Sequence, residues 1–194
     1  MQRLCVFCGS SPGARPTYAE SARRLGRVLV ARGIGLVYGG GSIGLMGVLA
    51  DAVLEQGGEV IGVIPRGLAR REIAHRGLTE LRVVATMHER KAAMAEAADG
   101  FVALPGGLGT FEELLEVVTW AQLGLHAKPV GVLNVEGYFD PLIALVARAV
   151  EERFVRPEHG ELLVAAAEPE GLLAALSAWR APAPVTKWLD PKEV

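Results

Sequence analysis

Apolar runs of strand length alternate along this chain with longer stretches of helical period. Strands are predicted over 3–8, 35–38, 59–64, 80–84, 100–104, 130–133 and 162–165, and helices over 17–32, 43–56, 87–97, 110–122, 140–152 and 169–179. This alternation specifies an α/β fold, a parallel sheet of about seven strands with helices on both faces. Interior strands of such a sheet are apolar on both sides, as VYGG, VIGVI and FVAL are. The composition shifts only at the end, in APAPVTKWLDPKEV, so a single domain over 1–180 followed by a tail over 181–194 is expected.

Charge and composition then exclude whole classes. With 20 Lys+Arg against 22 Asp+Glu the formal charge is −2, which rules out a protein held to nucleic acid by bulk positive charge. No run approaches the ~18 apolar residues of a membrane span, and MQRLCVFCGSS lacks the apolar region of a signal peptide, so the cytosol is expected. Cys5 and Cys8 form a C-x-x-C pair inside a predicted strand, where positions three apart face opposite ways. Two buried thiols are expected from them, with neither a metal nor a disulfide. The four histidines show no ligand spacing, and no metal is expected.

The compositional outlier is glycine, 24 of 194 residues, about 12% where roughly 7% is usual. Glycine and serine concentrate in three predicted strand-to-helix turns: Gly9-Ser-Ser-Pro-Gly13, Gly39-Gly-Gly-Ser-Ile-Gly44 and Pro105-Gly-Gly-Leu-Gly-Thr110. In an open parallel sheet these turns share the ligand-binding end. Unpaired amides at a helix start attract anions, so a phosphate-bearing ligand is expected.

Gly39–Gly44 matches G-x-G-x-x-G, but a dinucleotide site also needs an acid at the end of the next strand, which instead reads Val63-Ile-Pro-Arg66. Arg66 facing a 2′-phosphate keeps an NADP reading open. The third turn lacks the Gly-Lys-Ser/Thr ending of a P-loop and runs straight into Glu112 and Glu113. Thr110 and Glu113 have capping-box spacing, which leaves Glu112 to point elsewhere on the turn, with Glu116 sharing its face. Thr86 and Glu89 repeat that spacing in Thr86-Met-His-Glu-Arg-Lys91. Arg90 and Lys91 there open a helix whose dipole disfavours cations, so an anionic partner is expected.

At these residues the sequence resembles the Lonely Guy (LOG) family, cytokinin riboside 5′-monophosphate phosphoribohydrolases long mislabelled as lysine decarboxylases. The signature P-G-G-x-G-T-x-x-E is met from Pro105 to Glu113. The likeness includes Cys8-Gly-Ser-Ser11, VYGGGSIGLMG over 37–47, Arg71-Glu-Ile73, Met87-His-Glu-Arg-Lys91, Thr119-Trp-Ala-Gln-Leu-Gly124 and Lys128 to Tyr138, spanning about 4–155. The resemblance implies a Rossmann-like domain, hydrolysis of a nucleoside 5′-monophosphate to free base and ribose 5-phosphate, and at least a homodimer with sites near the subunit interface. It implies that Gly106, Gly107, Gly109 and Thr110 hold phosphate. Arg90 with Glu112 and Glu113 would be catalytic, and Glu72, Lys91 and Thr119 would contact the nucleotide. No cofactor is expected. A PLP decarboxylase needs a Schiff-base lysine, and none of Lys91, Lys128, Lys187 and Lys192 is suitably placed. A nucleotide-binding module without catalysis stands as the alternative from another class.

Overall fold

The central apolar runs become strands because both of their faces are covered. In the computed structural model, which describes residues 1–69 and 74–182, the strands are β1 (Arg3–Phe7), β2 (Gly35–Tyr38), β3 (Val60–Pro65), β4 (Glu80–Val84), β5 (Gly100–Ala103), β6 (Val130–Leu133) and β7 (Leu163–Ala166). They form one sheet in the order β4-β3-β2-β1-β5-β6-β7, parallel at every pairing. The longer helices are α1 (Pro16–Ala31), α2 (Gly44–Leu54), α4 (Met87–Ala97), α5 (Leu108–Gln122), α6 (Asp140–Glu151) and α8 (Pro169–Ala178). Two one-turn helices, α3 (Arg66–Ala69) and α7 (Pro157–Gly160), and a 3₁₀ turn over Val135–Gly137 lie outside the expected elements.

Strand alternation divides the core in two. Leu4 and Val6 join Leu25, Leu29, Leu36, Leu49 and Leu176 under α1, α2 and α8. Cys5 and Phe7 join Val37, Met94, Phe101 and Leu114 under α4 and α5. Each such fully buried side chain contributes about 1.5–3 kcal/mol. Cys5 and Cys8 accordingly lie in different cores, both free, and burial pushes both thiols well above their ordinary pKa. α1 shows how the chain is turned back into the sheet. Gly33, at φ 66°, follows the helix in the left-handed region, and the Ile34 amide reaches back to Leu29 O at 2.9 Å.

The strand order reverses between β1 and β5, so the turns leaving these two strands diverge and open a crevice. The first and third glycine-rich turns meet there, joined by the Gly9 amide donating to Pro105 O at 3.1 Å. At the sheet's other extreme, β4 is an edge strand with Glu80 and Arg82 paired along it at 2.7 Å. Among the described residues no helix is long and apolar enough to cross a membrane.

His126 serves the fold. Its Nδ1 accepts from the Lys128 amide at 3.1 Å, which leaves Nε2 to donate to Val117 O at 2.9 Å. Burial holds its pKa below the ordinary 6.5. A histidine depressed in the folded state contributes stability above pH 6.5 that is lost as pH falls through the folded value. Melting temperature is therefore expected to drop between pH 7 and pH 5, and less steeply in His126→Gln; equal slopes would remove His126 as the cause.

Candidate active site

The turn after β5 begins α5 earlier than its residues suggest. Gly107 is the N-cap and Leu108 the first helical residue, so Thr110 stands in the third position and Glu113 in the sixth. The expected Thr110–Glu113 capping box is therefore absent, and Glu113 is released from that role. Helix geometry leaves the amides of Leu108, Gly109 and Thr110 without partners inside α5, and the dipole makes that end attractive to an anion.

The three glycines of the turn have different reasons to be glycine. A Cβ on Gly106 would strike the Thr110 hydroxyl and lie 2.8 Å from the Gly9 amide, whereas one on Gly107 or Gly109 would meet nothing within 4 Å. Gly106 is required by the protein's own packing. Gly107 and Gly109 border open space, where a ligand can approach the backbone. Thr110 is buried over Gly106.

Glu113 turns inward from α5 to Arg90 of α4, with Arg90 Nη1 3.0 Å from Glu113 Oε1 and both side chains about 10% exposed. Arg90 Nε also donates to Val63 O within β3, at 3.2 Å. A Cβ on Gly39 would collide with Arg90 Nη2, so the second glycine-rich turn makes room for the guanidinium. Burial raises the Glu113 carboxyl above its ordinary 4.5, Arg90 and Lys91 pull it back only in part, and Glu112 and Glu116 add to the rise.

Lys91 is equally enclosed. Its Nζ donates to Glu112 Oε1 at 2.5 Å and to Glu116 Oε1 at 2.9 Å. Burial opposes its charge, yet the two carboxylates prevail and hold its pKa above the ordinary value. Glu112 is half exposed, and Glu116 Oε2 is buried without a hydrogen-bond partner among the described residues. The Thr86 cap forms as expected: its hydroxyl accepts from the Glu89 amide at 3.1 Å, while the Glu89 carboxylate reaches the Ala85 amide at 2.9 Å.

Arg90, Lys91, Glu112 and Glu113 thus gather beside the turn that carries Gly106 to Thr110. Thr119 does not join them. It lies on the exposed side of α5, its hydroxyl donating to Leu115 O at 2.7 Å, about 16 Å along the helix from Leu108 at 1.5 Å per residue. Glu72 lies outside the described residues. Sequence reasoning gave no role to Tyr18 and Tyr138, which line a cavity of about 260 Å³ at the β1/β5 crevice together with Ser10, Ser11, Gly106 and Gly107. Tyr138 stood among the matched residues, but only the fold shows where its ring goes.

The loop Gly39–Gly44 is filled by the protein itself. Besides Gly39, a Cβ on Gly44 would strike the backbone of Ser10 and Ser11, and Gly40 and Gly44 adopt φ of 75° and 61°. Arg66 begins α3. A dinucleotide reading loses the close backbone approach it relies on.

Comparison with known proteins adds a separate line. A family model described as "Possible lysine decarboxylase" matches residues 46–176. A probable cytokinin riboside 5′-monophosphate phosphoribohydrolase of Oryza sativa subsp. japonica, LOGL5, is 54% identical over 181 residues, 93% of this chain and 74% of the relative. The cytokinin riboside 5′-monophosphate phosphoribohydrolase LOG7 of Arabidopsis thaliana is 54% identical over 175 residues, 90% of this chain and 81% of the relative. These lengths carry the likeness well beyond Arg156, past the segment expected to bear it. The molybdenum cofactor carrier protein of Chlamydomonas reinhardtii shares the fold, with a TM-score of 0.69, 21% identity and coverage of 91% of this chain and 96% of that one.

Proposed function

The chain belongs to the LOG family of cytokinin riboside 5′-monophosphate phosphoribohydrolases, and from that membership we propose that it hydrolyses the N-glycosidic bond of purine nucleoside 5′-monophosphates, N6-modified cytokinin types included. The products are free base and ribose 5-phosphate. The observation that carries this reading is the enclosed Arg90–Glu113 pair, at 3.0 Å, beside a helix start with open amides. The 5′-phosphate binds at the turn through the amides of Gly107, Leu108, Gly109 and Thr110, with Gly107 and Gly109 giving access to the backbone. That anchor fixes the distance from phosphate to sugar and holds the anomeric carbon against the carboxylates.

As the C1′–N bond breaks, its electrons remain with the base and the sugar becomes oxocarbenium-like. Glu113 stabilises that cation and takes one proton from the water whose oxygen bonds to C1′, and that proton passes to the base nitrogen that kept the bond's electrons, which restores the carboxylate. Arg90 keeps Glu113 oriented and donates to the phosphate or the leaving base; its guanidinium stays charged throughout. Glu113 is favoured over Glu112 as the reacting carboxylate because it is buried and raised in pKa, whereas Glu112 is half exposed and engaged by Lys91. Lys91 contacts the nucleotide from between its two carboxylates.

We further propose a homodimer or larger homo-oligomer working in the cytoplasm. The exposed apolar residues Leu108 and Leu115, in line with Thr119 on α5, together with Leu145 on α6, support a covered face. Thr119 acquires a use as a nucleotide contact if it faces the site of another copy. Glu72 is retained as a nucleotide contact from the resemblance alone.

Incubation with AMP and with N6-isopentenyl AMP, followed by chromatography, is expected to show released base, and adenosine, which lacks the phosphate anchor, is expected to be cleaved far more slowly. Tight AMP binding with no base released would favour the binding-module alternative. Because the carboxylate form of Glu113 is the working form and its pKa lies above 4.5, kcat/KM is expected to fall on the acid side through a single group titrating above 4.5. An acid limb at or below 4.5 would exclude Glu113 as that group.

A further inference from the structure

Three consecutive carbonyls of the turn between β5 and α5 are each tied to a donor. Pro105 O accepts from the Gly9 amide at 3.1 Å, and Gly107 O accepts from the Phe111 amide at 3.1 Å, the first bond of α5. Between them, Gly106 O accepts from the Tyr138 hydroxyl at 2.5 Å. Two anchors are backbone, while the third is a side chain delivered from beyond β6. We propose that Tyr138 is a positioning residue for anion binding, its hydroxyl holding the Gly106–Gly107 peptide so that the Gly107 amide stays turned toward the ligand. The identity of that ligand as a 5′-phosphate rests on the hydrolase reading.

In a trans peptide the carbonyl and the following N–H point in opposite directions, so drawing Gly106 O to Tyr138 aims the Gly107 N–H away from the tyrosine. This peptide is flanked by two glycines, and no side chain of its own resists its rotation. It is the unit of the turn most in need of an outside tether. Gly107 itself borders open space, and both Tyr138 and Gly107 line the cavity at the crevice.

The hydroxyl can act as a fixed point because three aromatic rings hold the tyrosine. Its ring packs edge-on against Tyr18 at 5.8 Å and Phe139 at 5.1 Å, and stacks on Phe111 at 6.4 Å. The chain reaches it through the 3₁₀ turn Val135–Gly137, in which Glu136, at φ 49°, sits in the left-handed region that an L side chain enters at a cost. The Glu136 carboxylate is held by Arg15 and by the Thr17 hydroxyl at 3.3 Å. The Asn134 side chain accepts from the Phe139 amide and donates to Asp140, each at 2.7 Å. A conformation maintained against its own preference by this many contacts marks a turn whose exact shape is used.

Tyr138→Phe keeps the ring and removes the hydroxyl. Calorimetric titration with ribose 5-phosphate is expected to show affinity weakened roughly five- to tenfold, the scale of one hydrogen bond lost from the bound state. KM for AMP is expected to rise by the same factor while kcat stays within about twofold and adenosine binding is unchanged. Unaltered affinity for ribose 5-phosphate, an equal loss for adenosine, or a fall in kcat with KM unchanged would each overturn the proposal. Because binding is read without turnover, a wild-type chain that binds ribose 5-phosphate and releases no base from AMP sinks the hydrolase reading alone, leaving the Tyr138 comparison decisive. A wild-type chain that does not bind ribose 5-phosphate overturns the Tyr138 proposal, while base release from AMP still decides the hydrolase reading.

Discussion

Glu113→Gln is expected to lower base release from AMP by about three orders of magnitude, while Glu112→Gln lowers it by less than about tenfold. A factor of 10³ corresponds to about 4 kcal/mol of transition-state stabilisation, a reasonable share for one preorganised charge facing a developing cation in a water-poor site. The amide keeps the volume and one acceptor oxygen for Arg90, so geometry is preserved and charge is what disappears. Glu112 shares its charge with solvent and with Lys91, and its removal alters the field at the sugar only modestly. A carboxyl raised in the folded state contributes most below its unfolded pKa and loses that contribution as pH rises through the folded value. At pH 7 burial works against the ionised Glu113, but Glu113→Gln leaves the enclosed Arg90 guanidinium without its counter-charge, so the variant is expected to melt a few degrees below wild type at pH 7. Turnover of single-turnover reactions, measured beside thermal melts, checks both parts. If both glutamine variants turn over at the wild-type rate, carboxylate catalysis is excluded.

The strands were legible because burial on both faces writes a continuous apolar run, and β2, β3 and β5 are buried at every position. The start of α5 was misread for a physical reason. A capping box is defined relative to the first helical residue, and Thr110-x-x-Glu113 imitates one only if the helix begins after Thr110. Gly106 and Gly107 allow it to begin at Leu108 with no side-chain cap, and glycines leave no mark of such an early start. The pairing of Arg90 with Glu113 was beyond local reading, since it depends on α4 and α5 lying side by side over one face of the sheet. Residue types and turns pointed to an anion and a carboxylate, but not to the carboxylate's partner. Thr119 marks the opposite limit: its motif matched, yet its place on α5 keeps it away from its own chain's turn.

Gly39→Ala carries the second large effect, and it tests what the literal G-x-G-x-x-G is for. The backbone at Gly39 does not require glycine by its φ, and the atom a new methyl would strike is the far end of the Arg90 side chain, with Met46 Sδ next at 3.4 Å. The fold can therefore absorb the change by moving Arg90. That movement breaks the geometry set by Val63 O and Glu113. Turnover is expected to fall by about two to three orders of magnitude, as far as in Arg90→Ala, with the melting temperature lowered by only a few degrees. Gly47→Ala offers the contrast, because its methyl would enter the backbone of Ser42, which cannot swing aside, and a failure to fold is expected. Gly107→Ala meets no protein atom within 4 Å, so stability is expected to hold while KM for AMP rises. Three glycines then give three separate readouts: one clears an arginine, one closes a helix against its own turn, and one leaves the backbone open to phosphate. A folded Gly39→Ala protein with wild-type turnover would show that the position of Arg90 does not control the rate, and the loop would revert to simple strand–helix packing.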